Sequence, residues 1–219
     1  PSRVSHQHDP PGGTMRRFLF TALAVLAWHP DLLSQTPART EQEMKASYEA
    51  HKGDFDYLLG DWAFTATSKE YGKFHGIWSA VRLPEGAHVW DEYRITGDSG
   101  ETWYVTTTIR AYNAVRDQWE LVGMDRANGL TDMGTARKVG DEMHIEQRFG
   151  VMSPTPSVWR IRYYHIRPDG FSWAADRSTD DGRTWVKDYQ TLEARRIGPA
   201  RSLPPLTVAR KASPNQGAP

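Results

Sequence analysis

The sequence contains no cysteine in its 219 residues. This absence excludes disulfide bonds, thiol nucleophiles and thiolate metal ligands. The chain also lacks an excess of charge of either sign, because 27 Lys and Arg balance 27 Asp and Glu. A balanced charge gives no electrostatic case for a nucleic-acid partner or an anionic membrane. We therefore expect neither as a partner.

Long apolar runs are scarce, and the one that stands out covers residues 18–28, directly after Met15, Arg16 and Arg17. A basic start, an apolar run of this length and polar, proline-containing residues after it are typical of a secretory signal peptide. The run is too short to span a bilayer comfortably. We predict a signal peptide over residues 15–38 and an exported protein, periplasmic or secreted, with no membrane span in the mature chain. The alternative is a buried helix.

The residues on either side of the signal are predicted as follows. Residues 1–14 precede the natural Met and are interpreted as an upstream segment. Residues 39–53 are predicted to form one amphipathic helix, in which Thr40 and Glu43 make a capping box and Gly53 ends the helix.

Turn signals recur at short, even spacing after residue 60, and the runs between them are rich in Thr, Val, Ile, Trp and Tyr. Strands are predicted at residues 61–68, 73–82, 88–96, 102–112, 118–125, 133–139, 142–149, 157–166, 171–177 and 184–196. Short connections between successive strands favour antiparallel hairpins. We predict an all-β domain over residues 54–198, a single antiparallel up-and-down barrel of eight to ten strands with the N-terminal helix at one end. The tail, residues 199–219, has a composition typical of disorder.

Period-two alternation gives each strand a drier face and a wetter face. The side chains assigned to the interior on this basis are Trp103, Thr107, Gln147, Trp159, Tyr163 and His165. Several of them carry polar atoms that a dry core would leave without partners, whereas a cavity would let water or a ligand satisfy them. The leading hypothesis is a barrel that binds a small hydrophobic or aromatic molecule through these six residues.

Two other functions stay open at this point. One is a metal-independent isomerase or lyase that uses His165, Tyr163 and a carboxylate; the other is a structural barrel with a packed interior. His165 is also a candidate haem ligand. The spacing of the other strand histidines does not indicate a metal site, so we predict no metal and no cofactor. The sequence shows no nucleophile elbow and no glycine-rich phosphate loop.

Gly60-Asp61-Trp62, at the head of the first predicted strand, resembles the Gly-x-Trp signature of lipocalins and their calycin relatives. The resemblance implies that Trp62 closes the barrel floor and packs under an arginine of the last strand, here Arg195 or Arg196. The motifs FDYLLGDW (residues 55–62), GIW (76–78) and DGRTW (181–185) are also similar to a bacterial family of unknown function with a lipocalin-like barrel. A strict lipocalin has eight strands, and ten would be closer to fatty-acid-binding proteins or nitrobindins. The resemblance implies a fold and little about function.

Residues 178–185 (STDDGRTW) also match the Asp-box, Ser-x-Asp-x-Gly-x-Thr-Trp, of sialidase-type propellers. In propellers the motif repeats in each blade, but here it occurs once. The strand region, about 135 residues, is short for a propeller whose blades each take roughly 40. We therefore interpret the motif as a hairpin turn, in which Ser and Asp side chains bind the turn's own amides and the Trp packs beneath.

Overall fold

The computed structural model describes residues 38–84 and 86–205. One α-helix, α1 (Glu41–His51), and a 3-10 turn (Asp56–Leu58) precede the strands. The ten strands are β1 (Gly60–Ser68), β2 (Gly72–Arg82), β3 (Val89–Thr96), β4 (Thr102–Asn113), β5 (Gln118–Asp125), β6 (Gly129–Val139), β7 (Glu142–Phe149), β8 (Ser157–Arg167), β9 (Gly170–Ser178) and β10 (Val186–Gly198). These strands are the ten that the turn signals predict, and their bounds shift by a few residues.

Every strand pairs antiparallel with its neighbours in the chain, and β1 also pairs with β10. The last pairing closes the sheet, so no strand edge is left with unpaired backbone groups. Trp62 of β1 lies opposite Trp78 on one side and Arg196 on the other. The predicted all-β, up-and-down, antiparallel barrel with one N-terminal helix is confirmed, with ten strands.

Helix α1 begins with the predicted capping box. Thr40 Oγ1 accepts a hydrogen bond from the Glu43 backbone N–H at 3.2 Å, and a Glu43 carboxylate oxygen accepts one from the Thr40 N–H at 2.8 Å. One turn further along α1, the buried Ser47 lies 2.6 Å from the Tyr112 hydroxyl and donates to the Asp117 carboxylate. These bonds hold α1 against the hairpin that joins β4 to β5.

The barrel end next to α1 is closed by large apolar side chains. Phe55, Leu58, Trp62 and Trp119 have no exposed surface, and the rings of Phe55 and Trp119 meet edge to face at 4.9 Å. Phe55 and Leu58 come from the 3-10 turn and the residue before it, so this turn forms the floor of the barrel. We call this end the closed end.

The Asp-box forms the turn between β9 and β10, as the sequence indicates. The Ser178 hydroxyl accepts from the Gly182 N–H at 2.8 Å, and the Asp180 carboxylate accepts from the Thr184 N–H at 2.9 Å. The Thr184 amide is the main cause that lowers the pKa of Asp180 to about 2. The Trp185 indole lies under the turn and donates to the Gly182 carbonyl at 2.9 Å. The motif stabilises a hairpin turn in this barrel.

The two ends of the chain are described only in part. The predicted signal peptide lies outside the described residues except for Ala38, and the predicted tail lies outside them from residue 206 onward. The start of that tail does not match the disorder expected of it, because Ser202 bridges to Arg82 of β2 and the Leu203 N–H donates to the Arg82 carbonyl at 2.9 Å. Within residues 38–84 and 86–205, no helix is long and apolar enough to cross a membrane.

Candidate functional site

The barrel interior differs between its two ends. At the closed end Phe55, Leu58, Trp62 and Trp119 are fully buried, whereas at the other end most inward aromatic side chains keep part of their surface exposed. In a closed barrel an inward side chain keeps exposed surface only where the barrel is open. We call this group of partly exposed inward side chains the open-end recess; its members are Phe74, Tyr93, Ile95, Tyr104, Phe149 and Trp159. The recess is aromatic on most sides, as small-molecule sites often are.

A polar layer lies beneath the recess. The Trp78 indole donates to Asp91 Oδ1 at 2.8 Å, and Asp91 Oδ2 forms a fully buried ion pair with Arg110 Nη1. The ring of Trp78 lies 5.7 Å from that of Tyr163 and 5.3 Å from that of Tyr93. This layer therefore joins β2, β3, β4 and β8 across the middle of the barrel.

Three buried donors in and around this layer have no acceptor in good hydrogen-bond geometry among the described residues. They are the hydroxyl group of Tyr57, that of Tyr93, which has the Gln190 side chain beside it, and the Nε of Arg110, whose guanidinium lies beside the Tyr163 hydroxyl. Burial raises the pKa of Tyr57, Tyr93 and Tyr163 above the usual tyrosine value, so their hydroxyl groups stay protonated and can donate. A buried donor without an acceptor costs about 1–3 kcal/mol, so these groups favour an acceptor-bearing molecule inside the barrel.

A second polar pair forms the wall between β6 and β7. The Gln147 amide donates to Asp132 Oδ1, and the Thr131 hydroxyl donates to Asp132 Oδ2 at 2.9 Å. Burial raises the pKa of Asp132, although the two hydrogen bonds oppose this effect. A Cβ at Gly123 would lie 2.1 Å from the Asp132 carboxylate, so glycine leaves the space that this side chain occupies. Asp132 is not among the predicted site residues; the signal for it in the sequence is an acidic residue flanked by the inward glycines Gly123 on β5 and Gly134 on β6.

Three of the six predicted ligand-binding residues lie inside the barrel. Gln147 and Tyr163 are buried, and Trp159 is half-buried against Phe149 at a ring distance of 4.8 Å. Trp159 lies opposite Gln147 on β7 and opposite Arg177 on β9, so these side chains share one level of the barrel. Gln147 and Trp159 border the open-end recess, and Tyr163 lies deeper.

The predicted inward positions of Trp103 and Thr107 are wrong. Trp103 is 61% exposed, and the Thr107 hydroxyl lies near the Met124 carbonyl on the outer face. The buried residues of β4 are Thr108 and Arg110, so the alternation of this strand has the opposite phase to the one predicted. The physical reason is the buried ion pair between Asp91 and Arg110. Because Asp91 neutralises its charge, Arg110 can occupy the inner face of β4, and Trp103 and Ile109 then lie on the outer face.

The predicted inward position of His165 is wrong as well. The β8–β9 register shifts between Tyr164 and Arg167, and His165 has a φ of 48°, so its ring lies outside, 3.3 Å from the Ser172 hydroxyl. His165 and Tyr163 therefore do not converge on one site, and His165 cannot ligate a haem inside the barrel. His75 and His144 are 44% and 41% exposed. In the part of the chain that the structure describes, no three His, Asp or Glu side chains are arranged to hold a metal ion.

The residues predicted to close the floor make the expected contact through Arg196. Its guanidinium lies 4.0 Å from the centroid of the fully buried Trp62 ring, and its Nη1 donates to the Leu59 carbonyl at 2.7 Å. Gly60 has a φ of 110°, and a Cβ there would lie 2.5 Å from Arg196 Nη1. Arg195 is exposed and pairs with Gly170 instead.

Comparison with known proteins adds a likeness of fold. No model of a protein family matches the chain, and no curated protein matches it. Among solved structures, the chain is similar to the crystal structure of Rv2717c from M. tuberculosis, with 15% sequence identity and a TM-score of 0.47. The match covers 69% of this chain and 97% of that chain.

Proposed function

We propose that the protein binds a small hydrophobic or aromatic molecule in the open-end recess. The observation that carries the proposal is the set of inward aromatic side chains that keep exposed surface at this end. The rings of Phe149 and Trp159, 4.8 Å apart, form one wall, and the Tyr93 ring forms another. Exposed aromatic surface inside a barrel loses water when an apolar molecule enters, which favours binding.

Polar groups beside the recess would orient the bound molecule. The Gln147 amide lies at the level of Trp159, and the Tyr93 hydroxyl is a donor without an acceptor in good hydrogen-bond geometry among the described residues. A ligand with an oxygen acceptor on an aromatic body would therefore fit better than a pure hydrocarbon. A barrel with a solidly packed interior is the alternative, and it predicts no saturable binding.

We expect N-phenyl-1-naphthylamine, a neutral aromatic dye, to bind saturably with micromolar affinity, equivalent to about −8 kcal/mol. Binding should raise the emission of the dye and quench tryptophan fluorescence, because Trp159 lines the recess. Trp159→Ala should weaken binding about tenfold or more, the equivalent of about 1.4 kcal/mol. Tyr163→Phe should weaken it less, because Tyr163 is deeper. Fluorescence titration measures all three dissociation constants.

The matched control is Trp103→Ala, which removes the same side chain from the outer face, where Trp103 is 61% exposed. This variant should bind the dye like the unsubstituted protein. Equal losses in the Trp103 and Trp159 variants, or the absence of saturable binding in folded protein, would contradict the proposal. Far-UV circular dichroism checks that each variant is folded.

We also propose that the protein is exported. The basic and apolar residues 15–28 support this, and the proposal is independent of the ligand. N-terminal sequencing of protein recovered outside the cytoplasm should begin between residues 35 and 41. Protein that stays in the cytoplasm with residues 16–33 retained would rule export out.

A further inference from the structure

The outer face of the barrel carries a row of exposed apolar side chains across four neighbouring strands. Trp90 of β3 lies opposite Ile109 of β4, Ile109 opposite Val122 of β5, and Val122 opposite Met133 of β6. Their exposed fractions are 43%, 37%, 37% and 50%. Four large apolar side chains in register on a solvent-facing sheet are unusual, because this face of a barrel is normally polar.

A second row extends the first toward the open end. Met124 of β5 lies opposite Leu130 of β6, and the two are 41% and 37% exposed. We call these two rows the outer apolar patch; it consists of Trp90, Ile109, Val122, Met124, Leu130 and Met133.

The size of the patch matches the apolar part of a stable protein interface. With about 150–250 Å² for the surface of a large side chain, the six exposed fractions correspond to roughly 500 Å². A standard interface buries about 800 Å² on each partner. Since roughly 60% of that area is apolar, such an interface needs about 500 Å² of apolar surface on each side.

We propose that the outer apolar patch is a self-association surface and that its occupant is a second copy of this chain. A two-fold axis along the strands, between β4 and β5, would place the four-residue row of one copy over the same row of the other copy in reverse order. Trp90 of one copy would then meet Met133 of the second copy, a favourable sulfur–aromatic contact, and Ile109 would meet Val122. The contact is isologous and closed, so it produces a dimer and no larger assembly.

Charged side chains lie on both sides of the patch. Glu92 lies on the β3 side, and Arg148, opposite Met133, lies on the β7 side. Both side chains are about half exposed, at 41% and 44%. Glu92 is paired with Arg94 and Arg148 with Asp181 within the chain, so these ion pairs form a charged rim on both sides of the patch. A charged rim around an apolar centre is the usual anatomy of an interface.

Sedimentation velocity of the full chain over a concentration series tests the proposal. At about 100 µM, well above the micromolar constants that weak interfaces of this size show, most of the protein should have twice the chain mass of 24.9 kDa. Val122→Lys places a charge at the centre of the patch and should raise the dissociation constant at least about tenfold. The matched control is Val139→Lys on the neighbouring strand β6, outside the patch and 52% exposed, which should leave the dimer intact.

Chemical crosslinking gives a second measurement, because the chain has no cysteine of its own. Val122→Cys should crosslink into dimers with a short bismaleimide, and Val139→Cys should not. A protein that is monomeric at every concentration would overturn the proposal. A dimer that persists in Val122→Lys would also overturn it, because a surface other than the outer apolar patch would then form the interface. A monomer whose binding to phosphatidylcholine vesicles depends on Val122 would also overturn it, by assigning the patch to lipid.

Discussion

Trp62→Ala is expected to lower the free energy of unfolding by about 3–5 kcal/mol, the range observed when a large aromatic core site is emptied. The Trp62 ring is fully buried between Phe171, 4.9 Å away, and the Arg196 guanidinium, 4.0 Å away. Its indole N–H also donates to the Leu58 carbonyl at 2.7 Å, so the substitution also removes a hydrogen bond between β1 and the 3-10 turn. Urea unfolding followed by far-UV circular dichroism measures the loss.

The matched control for this prediction is Trp103→Ala on the outer face. Because that side chain is 61% exposed, its removal should change stability by no more than about 0.5 kcal/mol. A loss below about 1 kcal/mol for Trp62→Ala would mean that the barrel floor does not depend on this ring. Arg196→Met should give an intermediate loss, because Arg196 holds the carbonyl groups of Leu59 and Tyr57 at 2.7 and 3.2 Å.

Arg110→Met is the second change with a large expected effect, about 3–5 kcal/mol of lost stability at neutral pH. Asp91 is 3% exposed and has two partners, the Arg110 guanidinium and the Trp78 indole at 2.8 Å. Removal of the arginine leaves a buried carboxylate whose only donor is an indole N–H. The double variant Asp91→Asn, Arg110→Met should recover most of the loss, because asparagine carries no charge and its oxygen can still accept from Trp78.

A double-mutant cycle in urea measures this recovery, and it separates the cost of an unpaired charge from the value of the pair. The exposed pair of Glu92 and Arg94 is the control; both side chains are about 40% exposed, and Glu92→Gln should cost less than about 1 kcal/mol. If the double variant is as unstable as Arg110→Met alone, the polar layer has a packing role that charge does not explain.

Local signals in the sequence are sufficient for most of the fold. Alternating apolar runs and turn residues such as Pro168-Asp169-Gly170 predict ten strands within a few residues of their observed bounds. Thr40 and Glu43 predict the start of α1, and Ser178 and Asp180 predict the geometry of the β9–β10 turn. Each of these signals acts between residues at most a few positions apart, so they can be read without knowledge of the tertiary structure.

The candidate site depends more on contacts between distant strands. Alternation places Gln147, Trp159 and Tyr163 correctly, because β7 and β8 have clear apolar inner faces. It misplaces Thr107 because the inner face of β4 holds Arg110, whose partner Asp91 belongs to another strand. It misplaces His165 because a register shift against β9 reverses the direction of that side chain.

The sequence by itself determined the approximate positions of the strands, their antiparallel order and the turn chemistry, because these follow from neighbouring residues. Only the tertiary structure decided that the barrel closes with ten strands, that Arg196 rather than Arg195 covers Trp62, and that the apolar side of β4 faces outward. Each of these outcomes is a free-energy balance between groups far apart in the chain. A buried arginine becomes acceptable when a distant aspartate neutralises it, and period-two patterning cannot show that such a partner exists.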